Sequence, residues 1–524
     1  MLARVETCTV RGVEAVPLRV EVSLTTGLPS FTVVGLAQSA VREGRERVAS
    51  ALRSSGYGVP NRRITVNLAP ADLRKEGTGF DLPIAIGILA AHGAVPGEVL
   101  RDFIVVGELG LDGTLWCVPG VVAAALLARA SGRTLLLPEE NLAEASLVPG
   151  VEVVGVPDLA AAVRALGGEG TDEDSVQPPK DTPSQLRRAG QKPGVPEPPD
   201  LADVSGQPLA RRALEIAAAG GHNLLFVGPP GVGKTMLARR MPGILPPLCA
   251  EERLEVAAIH SVAGTLRGHG DVTVRPFRAP HHSVSYAGLV GGGRPLRPGE
   301  ISLAHHGVLF LDELPEFSRN ALEVLRQPME EGVIRLARAD GGICFPARFM
   351  LVAAMNPCPC GYAGDGSDRC RCDPGVVARY RGRISGPLLD RIDLHVEMSV
   401  VDRARDVTAV AASDFDNPWV AGEASAVVSE RVHAARERQR DRYAPADGSV
   451  ITPRGDGLWP GWRSDTTREA RRLLEALTVR FSLSMRARHR VFRVARTVAD
   501  LDQAAEVRES HIAEAAQYRV STIR

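Results

Sequence analysis

One short segment of the chain, from Gly228 to Thr235, combines the residue types that bind phosphate groups. It fits the spacing G-x-x-x-x-G-K-[ST], in which glycines let backbone N–H groups turn toward phosphate oxygens. Lys234 would neutralise the terminal phosphates, and the Thr235 hydroxyl would complete a Mg²⁺ shell. Lys234 is one of four lysines, against 58 arginines, in the chain. The predicted phosphate-binding residues are Gly228, Pro229, Pro230, Gly231, Val232, Gly233, Lys234 and Thr235.

Polar side chains also follow two apolar runs further along the chain. Val308 to Leu311 ends in Asp312 and Glu313, and Phe349 to Ala354 ends in Met355 and Asn356. Asp312 is suited to hold Mg²⁺ through water, and Glu313 is suited to polarise an attacking water. An amide at the tip of a strand, as in Asn356, can orient the same water. Together with the phosphate-binding segment, these residues predict a site that hydrolyses ATP with Mg²⁺.

The elements that must position these residues can be predicted from the apolar pattern. Two fully apolar runs, Leu224 to Val227 and Val308 to Leu311, are typical of buried parallel strands. A helical run from Met236 to Met241 follows the phosphate-binding segment directly. The last 60 residues or so lack strand runs and have helical spacing. The sequence therefore predicts a parallel α/β core followed by a helical region.

The region before residue 167 alternates strand-like and helix-like runs, so we expect a separate mixed α/β domain there. From Gly167 to Asp200 the apolar periodicity stops and seven prolines occur, which predicts a solvated linker. The predicted strands are Leu18 to Leu24, Ser30 to Val34, Ile64 to Leu68, Ile104 to Val106, Thr134 to Leu137 and Val151 to Val156. The predicted helices are Ala40 to Ser54, Pro83 to Ala91, Val121 to Ala130 and Leu159 to Ala165.

Composition excludes several classes of protein. The 524 residues carry zero formal net charge, so only local patches could attract nucleic acid or anionic lipid. Two of the long uncharged runs, Leu82 to Gly97 and Gly113 to Ala128, have 16 residues each and contain Gly and Pro, whereas a bilayer crossing needs about 20 apolar residues. Arg4, Glu6 and Arg11 stand where a signal peptide would need an apolar stretch. We therefore expect a cytoplasmic protein with no membrane partner.

Four of the eight cysteines, Cys358, Cys360, Cys370 and Cys372, lie within one short segment. Four thiolates can surround Zn²⁺ as a tetrahedron, and a reducing cytosol argues against disulfides. The C-x-C spacing is tighter than the usual C-x-x-C, so free cysteines remain the alternative to structural zinc. Two histidine pairs, His281 with His282 and His305 with His306, could suggest another metal. Because adjacent histidines point apart on a strand, we expect phosphate contact or packing for these pairs instead.

The three nucleotide motifs, together with Val204-Ser-Gly-Gln207, resemble those of the AAA+ ATPases. The resemblance implies roles for two arginines. Arg391, in Gly386-Pro-Leu-Leu-Asp-Arg391, matches the finger that stabilises charge at the γ-phosphate of the neighbouring subunit. Arg486, in Leu483-Ser-Met-Arg486, matches the second sensor, which acts on the nucleotide of its own chain. A finger that acts between subunits implies a ring, most commonly a hexamer.

Further segments resemble the magnesium chelatase-like clade and, within it, the ComM/YifB family. They are Arg275 to Ser283, Gly291 to Glu300, a hairpin from Gly332 through Arg338 to Phe345, and Arg62 to Pro83. The resemblance implies three domains and a linker. These are an N-terminal domain with the Lon-protease, S5-like α/β fold (1–166), a Pro-rich linker (167–200), a P-loop AAA+ parallel-sheet core with chelatase-type inserts (201–400) and a helical C-terminal lid (401–524).

The Lon-like domain is predicted not to cleave peptides. On the Lon pattern the nucleophile position falls on Gly79 and the lysine position on Val122, and neither residue can attack or deprotonate anything. Thr78 is adjacent to the nucleophile position, but Lys75 is the only lysine within reach. We therefore expect this domain to serve binding or assembly.

For this family the resemblance implies a ring motor that encircles DNA and drives branch migration in homologous recombination or in uptake of transforming DNA. Arginines of the inserts would give the ring a basic channel, or they are solvated surface residues. Two alternatives remain open: a chelatase-type ATPase that remodels a protein partner, and an adaptor without turnover. The arginines predicted to contact DNA are Arg275, Arg278, Arg294, Arg297, Arg335 and Arg338.

Overall fold

The computed structural model describes most of the chain. The described residues are 1–35, 39–73, 75, 77–168, 198–266, 272–293, 296–337, 342–364, 368–399, 422–443 and 465–520. The predicted linker therefore falls largely outside the described residues, as do Arg294 and Arg338. Within the described ranges, no helix is long and apolar enough to cross a membrane.

The N-terminal domain is built on two sheets. Its strands are β1 (Leu2–Arg11), β2 (Glu14–Thr25), β3 (Ser30–Val34), β4 (Arg63–Ala69), β5 (Phe103–Val105), β6 (Glu108–Leu109), β7 (Leu115–Trp116), β8 (Thr134–Pro138) and β9 (Val153–Val156). Its helices are α1 (Ser39–Ser54), α2 (Asp81–His92), α3 (Val121–Ser131), α4 (Leu142–Ala145) and α5 (Leu159–Ala165). One sheet has the order β1-β2-β4-β3, and the other is a parallel sheet with the order β5-β8-β9. Each predicted N-terminal strand and helix overlaps an observed one, so the mixed α/β prediction is confirmed.

Strand β1 was not predicted, because Arg4 and Glu6 interrupt its apolar residues. In the structure it pairs antiparallel with β2 along its whole length. Burial alternates along the strand. Ala3 and Val5 are buried, and the charged residues Arg4 and Glu6 follow each of them and are not buried. This is the period-two pattern of a strand that faces a core on one side only. The charged residues near the N-terminus therefore belong to a strand of the folded domain.

The ATPase core has one five-stranded sheet and two short two-stranded hairpins. Its strands are β10 (Leu224–Val227), β11 (Phe277–Arg278), β12 (Gly291–Gly292), β13 (Arg297–Pro298), β14 (Val308–Leu311), β15 (Val333–Leu336), β16 (Ile343–Pro346), β17 (Met350–Met355) and β18 (Leu394–Glu397). Its helices are α6 (Pro208–Gly220), α7 (Lys234–Ile244), α8 (Ala250–Ala263), α9 (Tyr286–Val290), α10 (Glu300–Leu303), α11 (Arg319–Val324), α12 (Arg326–Glu331), α13 (Pro374–Arg381) and α14 (Gly386–Leu389).

The sheet order is β11-β14-β17-β10-β18, and all its strand pairs are parallel. Strands β10, β14 and β17 are buried at every residue, which explains their uninterrupted apolar sequences. Because parallel strands end at the same edge of a sheet, the residues that follow β10, β14 and β17 come together there. The predicted hairpin forms from β15 and β16, which pair antiparallel, although part of its turn lies outside the described residues.

The C-terminal region is helical, as predicted. Its helices are α15 (Ser425–Tyr443), α16 (Arg468–Arg480), α17 (Met485–Leu501) and α18 (Glu509–Val520). Val432, Val498 and Tyr518 of these helices share one apolar core with Ile216 and Phe226 of the ATPase core. The division of the chain near residue 400 stays a prediction, since these helices bury their apolar faces against the ATPase core.

The N-terminal domain packs directly on the ATPase core. Helix α3 lies against α8, where Val121 and Ala125 share an apolar cluster with Ala257 and Ala258. The backbone amide of Val122 donates to Ser261 Oγ over 3.3 Å. Val122, which stands at the lysine position of the Lon pattern, therefore forms part of the contact between the N-terminal domain and the ATPase core.

Candidate nucleotide site

The phosphate-binding segment lies where β10 ends and α7 begins. Gly231 and Gly233 adopt positive φ angles of 83° and 95°, a conformation that glycine reaches at no steric cost. Helix α7 begins at Lys234, two residues earlier than predicted, because Gly233 supplies the left-handed cap. The backbone therefore turns so that the start of α7 faces the edge of the sheet, which is the geometry that binds phosphate.

Lys234 is held in place by three oxygen atoms. Its Nζ donates to the carbonyl oxygens of Gly228 (2.5 Å) and Pro229 (2.8 Å) and to Asn356 Oδ1 (2.9 Å). Burial lowers the pKa of Lys234, while the carboxylates of Asp312 and Glu313 act in the opposite direction. Two residues that the sequence predicted separately, Lys234 and Asn356, are thus in direct contact although 122 positions separate them.

The predicted magnesium ligands also come together. Thr235 Oγ1 donates to Asp312 Oδ2 over 2.6 Å. A hydroxyl and a carboxylate in contact supply part of the oxygen-rich environment that Mg²⁺ takes in such sites, and the nucleotide phosphates and waters would supply the rest. These residues therefore fit a Mg²⁺ ion bound together with the triphosphate.

Glu313 stands on a strained turn directly after β14. Its φ angle is 52°, in the left-handed region that non-glycine residues seldom occupy, and its N–H donates to Asp312 Oδ1 over 2.9 Å. Its carboxylate Oε2 lies 3.3 Å from His282 Nδ1. The contact with His282 was missed from the sequence, because the two residues are 31 positions apart and neither motif implies the other.

The histidine pairs are not arranged as predicted. Neither pair lies on a strand, and the rings within each pair lie against one another, with centroids 4.0 Å apart for His281 and His282 and 4.1 Å apart for His305 and His306. The expectation that adjacent histidines point apart is therefore wrong. His282 reaches the nucleotide edge through Glu313, whereas His305 and His306 precede β14 and so lie at the other edge of the sheet.

His305 and His306 both contact Glu255 Oε2 through Nε2, over 2.9 and 2.7 Å. The group resembles a metal site, but its hydrogen bonds argue against a metal. The backbone amide of Arg348 donates to His305 Nδ1 over 2.9 Å, so the ring proton must be on Nε2, where a metal would need a lone pair. Burial lowers the pKa of His305 to about 4, consistent with this neutral form. The contacts fit packing and hydrogen bonding, not phosphate binding.

Arg391 and Arg486 line the same cavity, at the amino edge of the sheet. The cavity has a volume of about 300 Å³. Arg391 Nη1 donates to the Pro387 carbonyl over 2.6 Å, and Nη2 pairs with Glu330. Its buried Nε has no hydrogen-bond partner among the described residues. The charged residues that line the cavity are Glu330, Arg391, Asp393, Arg486, Arg490 and Arg493.

The position of Arg486 does not support action on its own chain's nucleotide. Ser484 caps α17, so Arg486 opens this helix as predicted. However, Asn223 and Phe349, which precede β10 and β17, line the same cavity. The phosphate-binding segment begins after the end of β10, a strand of four residues, or about 13 Å, away. The structure therefore brings Arg486 to Arg391 and not to Lys234.

The four clustered cysteines converge on one point. Cys358 Sγ lies 3.3 Å from Cys360 Sγ and 3.8 Å from Cys370 Sγ, and Cys360 lies 3.7 Å from Cys370. All four sulfur atoms lie within 4.8 Å of one another. Zn–S bonds of about 2.3 Å in a tetrahedron require sulfur atoms about 3.8 Å apart. The arrangement therefore has the size of a tetrahedral zinc site.

The thiols of this cluster, here called the four-cysteine centre, differ in acidity. A hydrogen bond from the Tyr362 backbone, followed by one from Cys358, lowers the pKa of Cys360 to about 6. The Cys360 backbone lowers the pKa of Cys372, but hydrogen bonding to the Cys360 thiol and burial outweigh it and raise this pKa to about 11. The Ala363 amide donates to Cys358 Sγ over 3.3 Å. A divalent cation bound here would displace the remaining thiol protons, because thiolates are the ligands of zinc.

Two insert arginines predicted to contact DNA form hydrogen bonds within the ATPase core instead. Arg275 donates to the carbonyl oxygens of Pro246 and His306 and to Glu252. Arg278 forms two hydrogen bonds with Glu300, of 2.6 and 2.8 Å. Because their guanidinium groups are committed to these partners, both residues are better explained as structural, and the structure does not support the prediction of DNA contact for them.

Two other insert arginines are available at the surface. Arg335 on β15 has a side chain that is 60% exposed and pairs with Glu331, the last residue of α12. Arg297 on β13 is also exposed. The remaining two insert arginines of the prediction, Arg294 and Arg338, lie outside the described residues.

Among the described residues of the N-terminal domain, no lysine side chain lies beside the Thr78 hydroxyl. The Thr78 hydroxyl donates to the Glu108 carboxylate. Lys75 is fully buried, and its Nζ donates to the Pro70 carbonyl. A hydroxyl bonded to a carboxylate without an adjacent amine lacks the base that a Ser–Lys type protease uses. This geometry supports the prediction that the domain does not cleave peptides.

Comparison with known proteins places these features in a family. Three family models match: magnesium chelatase, subunit ChlI, over residues 200–405; subunit ChlI of Mg-chelatase over residues 20–141; and the subunit ChlI C-terminal region over residues 422–519. The magnesium-chelatase 67 kDa subunit of Chlorobaculum tepidum is 29% identical, but over 161 residues only, which is 30% of this chain and 23% of that protein.

Two relatives match along nearly the whole chain. Uncharacterized protein YifB of Escherichia coli is 44% identical over 528 residues, covering 99% of this chain and 97% of that protein. Competence protein ComM of Haemophilus influenzae is 44% identical over 509 residues, covering 97% of this chain and 95% of that protein. With the motifs and the sheet order described above, these matches show that the chain belongs to the ComM/YifB family of magnesium chelatase-like AAA+ proteins.

Proposed function

We propose that this chain is the subunit of a ring, most simply a hexamer, that hydrolyses ATP with Mg²⁺ to move DNA. The observation that carries the proposal is the division of the nucleotide machinery between two edges of one sheet. Lys234, Asn356, Thr235 and Asp312 gather at the carboxyl edge, while an arginine-lined cavity lies at the amino edge. A neighbouring subunit that presents its amino edge to this carboxyl edge would complete the site.

Each residue at the carboxyl edge has a specific part in hydrolysis. Lys234 binds the terminal phosphates, and Thr235 with Asp312 holds Mg²⁺ against them. Glu313 orients and polarises the attacking water, and Asn356 fixes the same water from the neighbouring strand. These are the roles that positioning and charge stabilisation take in phosphoryl transfer. The residues act in the nucleotide site of their own chain.

Both arginines of the cavity are proposed to serve the neighbouring subunit. Arg391 supplies positive charge to the γ-phosphate there, and Arg486 lies close enough to join it. This replaces the expectation that Arg486 acts in its own chain. Since the residues at the two edges cannot meet within one chain, closing a ring is what assembles complete sites.

DNA is proposed as the substrate because two separate hairpins carry exposed arginines, Arg297 and Arg335. In a ring, each would be repeated in every subunit, which would form a basic surface despite the zero net charge of the chain. The full-length relative named competence protein ComM is consistent with a role in DNA uptake or recombination. Branch migration of recombination intermediates is the activity we propose.

We expect ATP turnover to rise when branched DNA is added, and Arg335→Gln to lose most of this rise while basal turnover stays within about twofold. The reason is that Arg335 lies on the hairpin of β15 and β16, with a side chain that is 60% exposed and paired with Glu331, and not at the strand ends that form the nucleotide site. Turnover is measured against single-stranded, duplex, forked and four-way DNA, together with junction movement. Arg4→Gln is a matched control, because the Arg4 side chain is 59% exposed and lies in the N-terminal domain.

Binding of wild-type protein to DNA should also weaken as salt rises, because phosphate contacts release counterions. If turnover ignores every form of DNA and no junction moves, DNA is not the substrate. The alternative is then a chelatase-type ATPase that remodels a protein partner, which the partial match to a magnesium-chelatase subunit favours.

The four-cysteine centre is proposed to hold one structural zinc ion. We expect metal analysis of protein purified without chelator to give about one zinc per chain, and Cys370→Ser with Cys372→Ser to lose it. Two oxygens in place of two thiolates weaken a site whose size and ligand chemistry suit zinc. Cys344→Ser, at an exposed cysteine on β16, is the control and should keep the metal. A folded wild-type protein without metal would show that the cysteines are free.

A further inference from the structure

The four-cysteine centre lies next to the residues proposed to hydrolyse ATP. Cys358 follows Asn356 by two positions, and Asn356 accepts a hydrogen bond from Lys234. The last ligand, Cys372, is followed by the Asp373 cap of α13. Arg381, at the end of α13, donates to the Pro357 carbonyl over 3.1 Å, between Asn356 and Cys358. Both ends of the cysteine loop are therefore anchored beside Asn356.

The same loop also touches the phosphate-binding segment. Gly361 has a φ angle of 90°, and a Cβ atom added to it would lie 2.7 Å from Pro230 Cδ. That distance is shorter than carbon atoms tolerate, so the backbone of Gly361 is in close contact with Pro230. The loop thus meets the nucleotide site at two places, through Asn356 and through Pro230.

We propose that metal bound at the four-cysteine centre positions the nucleotide site. The four thiolates, once tied to one ion, fix the loop from Cys358 to Cys372 against Pro230 and hold the Asn356 amide beside Lys234. The proposal rests on the proposed zinc ion and ATP hydrolysis, and it makes the cysteines positioning residues, not catalytic ones. Since Asn356 is suited to orient the attacking water, a loosened loop would slow hydrolysis more than it weakens ATP binding.

Coupling of this kind must be reciprocal. If the metal stabilises the geometry that binds nucleotide, then nucleotide must stabilise the geometry that binds metal, by the same factor. Because tighter binding between related states appears mainly as slower dissociation, the rate at which zinc passes to a chromogenic chelator reports the coupling without any need for hydrolysis. The probe nucleotide is a non-hydrolysable ATP analogue with Mg²⁺, and the chelator must be selective for zinc over Mg²⁺.

The chain offers a matched pair of glycines for the test. Gly364 lies in the same loop with a φ angle of 79°, and a Cβ atom added there would meet no atom of the described residues within 4 Å. Gly361→Ala and Gly364→Ala therefore impose similar backbone strain, but only the first pushes the loop away from Pro230. Neither residue is a zinc ligand, and both variants keep all four cysteines.

We expect nucleotide to slow zinc release at least threefold in wild type and in Gly364→Ala, but not in Gly361→Ala. ATP turnover should fall about tenfold or more in Gly361→Ala, in the range seen when groups that support a metal site are changed, while zinc content stays at one per chain and ATP affinity falls by no more than the factor by which nucleotide slows zinc release in wild type. Zinc removal from wild type should lower turnover in the same way, and returning zinc should restore it.

The outcomes separate the coupling from the function on which it rests. If wild type does not hydrolyse ATP but nucleotide still slows zinc release, the proposed hydrolysis is wrong and the coupling stands. If zinc release ignores nucleotide in wild type, or if both glycine variants behave alike, the centre does not position the nucleotide site. A wild-type chain without zinc overturns the proposal as well.

Discussion

Replacement of Lys234 by alanine should abolish nucleotide binding, with a loss of affinity for labelled ATP of about 100-fold or more. The side chain supplies the positive charge for the terminal phosphates, and each hydrogen bond to a charged group contributes about 1.5–3 kcal/mol. Its removal also leaves Asn356 Oδ1 and the carbonyl oxygens of Gly228 and Pro229 without their donor. Equilibrium binding of labelled ATP measures the effect, and normal affinity in this variant would contradict the assignment of the site.

The partner variant, Glu313→Gln, should bind ATP normally and lose hydrolysis by about 10²–10⁴-fold, the range for general acid–base groups. The two losses should separate, because Lys234 acts on phosphate charge whereas Glu313 acts on water. Glu316→Gln is the control, since Glu316 lies on the same turn and pairs with Arg383 at the surface. Equal turnover in Glu313→Gln and wild type would remove Glu313 from the mechanism.

The second large effect is expected at Arg391, whose replacement by alanine should reduce ATP hydrolysis by about 10³-fold or more, as for other arginines that reach a γ-phosphate between subunits. Nucleotide binding should persist, because the carboxyl edge of the same chain is untouched. In rings that mix this variant with Glu313→Gln subunits, some interfaces pair an intact Glu313 with an intact Arg391. Partial activity should therefore return, and turnover at several mixing ratios measures it.

A purely structural role for Arg391 makes a different prediction. Arg391 pairs with Glu330, so that loss of this ion pair alone should then reproduce the defect. Glu330→Gln tests this, and we expect it to lose less than about tenfold. Rings that exchange subunits but show no recovery at any ratio, together with a strong defect in Glu330→Gln, would show that Arg391 only supports the fold.

The local motifs could be found from the sequence because each is carried by adjacent residues. The phosphate-binding segment, the acidic pair after β14 and the cysteine cluster all lie in short stretches whose spacing follows from their chemistry. Buried parallel strands also have continuous apolar sequences, so β10, β14 and β17 were predicted within one or two residues. The edge at which their polar ends meet follows from the parallel arrangement itself.

Strand β1 and the long-range side-chain pairs could not be found in the same way. The alternation in β1 is weak in sequence, and it makes sense only once β2 is placed beside it. His282 and Glu313 meet because the loop after β11 passes the end of β14, the neighbouring strand in the sheet. The pairing of Arg278 with Glu300 could likewise be seen only in the structure. Such pairs depend on strand order and packing, which single residues do not encode.

Residue types and local spacing identify the groups suited to the proposed chemistry: a lysine and a threonine for a triphosphate and magnesium, acids for water and metal, and four thiols near enough in sequence to share one ion. The positions of these groups relative to one another depend on the fold. It placed Arg391 and Arg486 together at the amino edge of the sheet, away from Lys234, and it placed Gly361 against Pro230. The physical reason is that residue types and short spacings fix what a group can bind, whereas the distance between groups far apart in sequence is set by the order and direction of the strands that carry them.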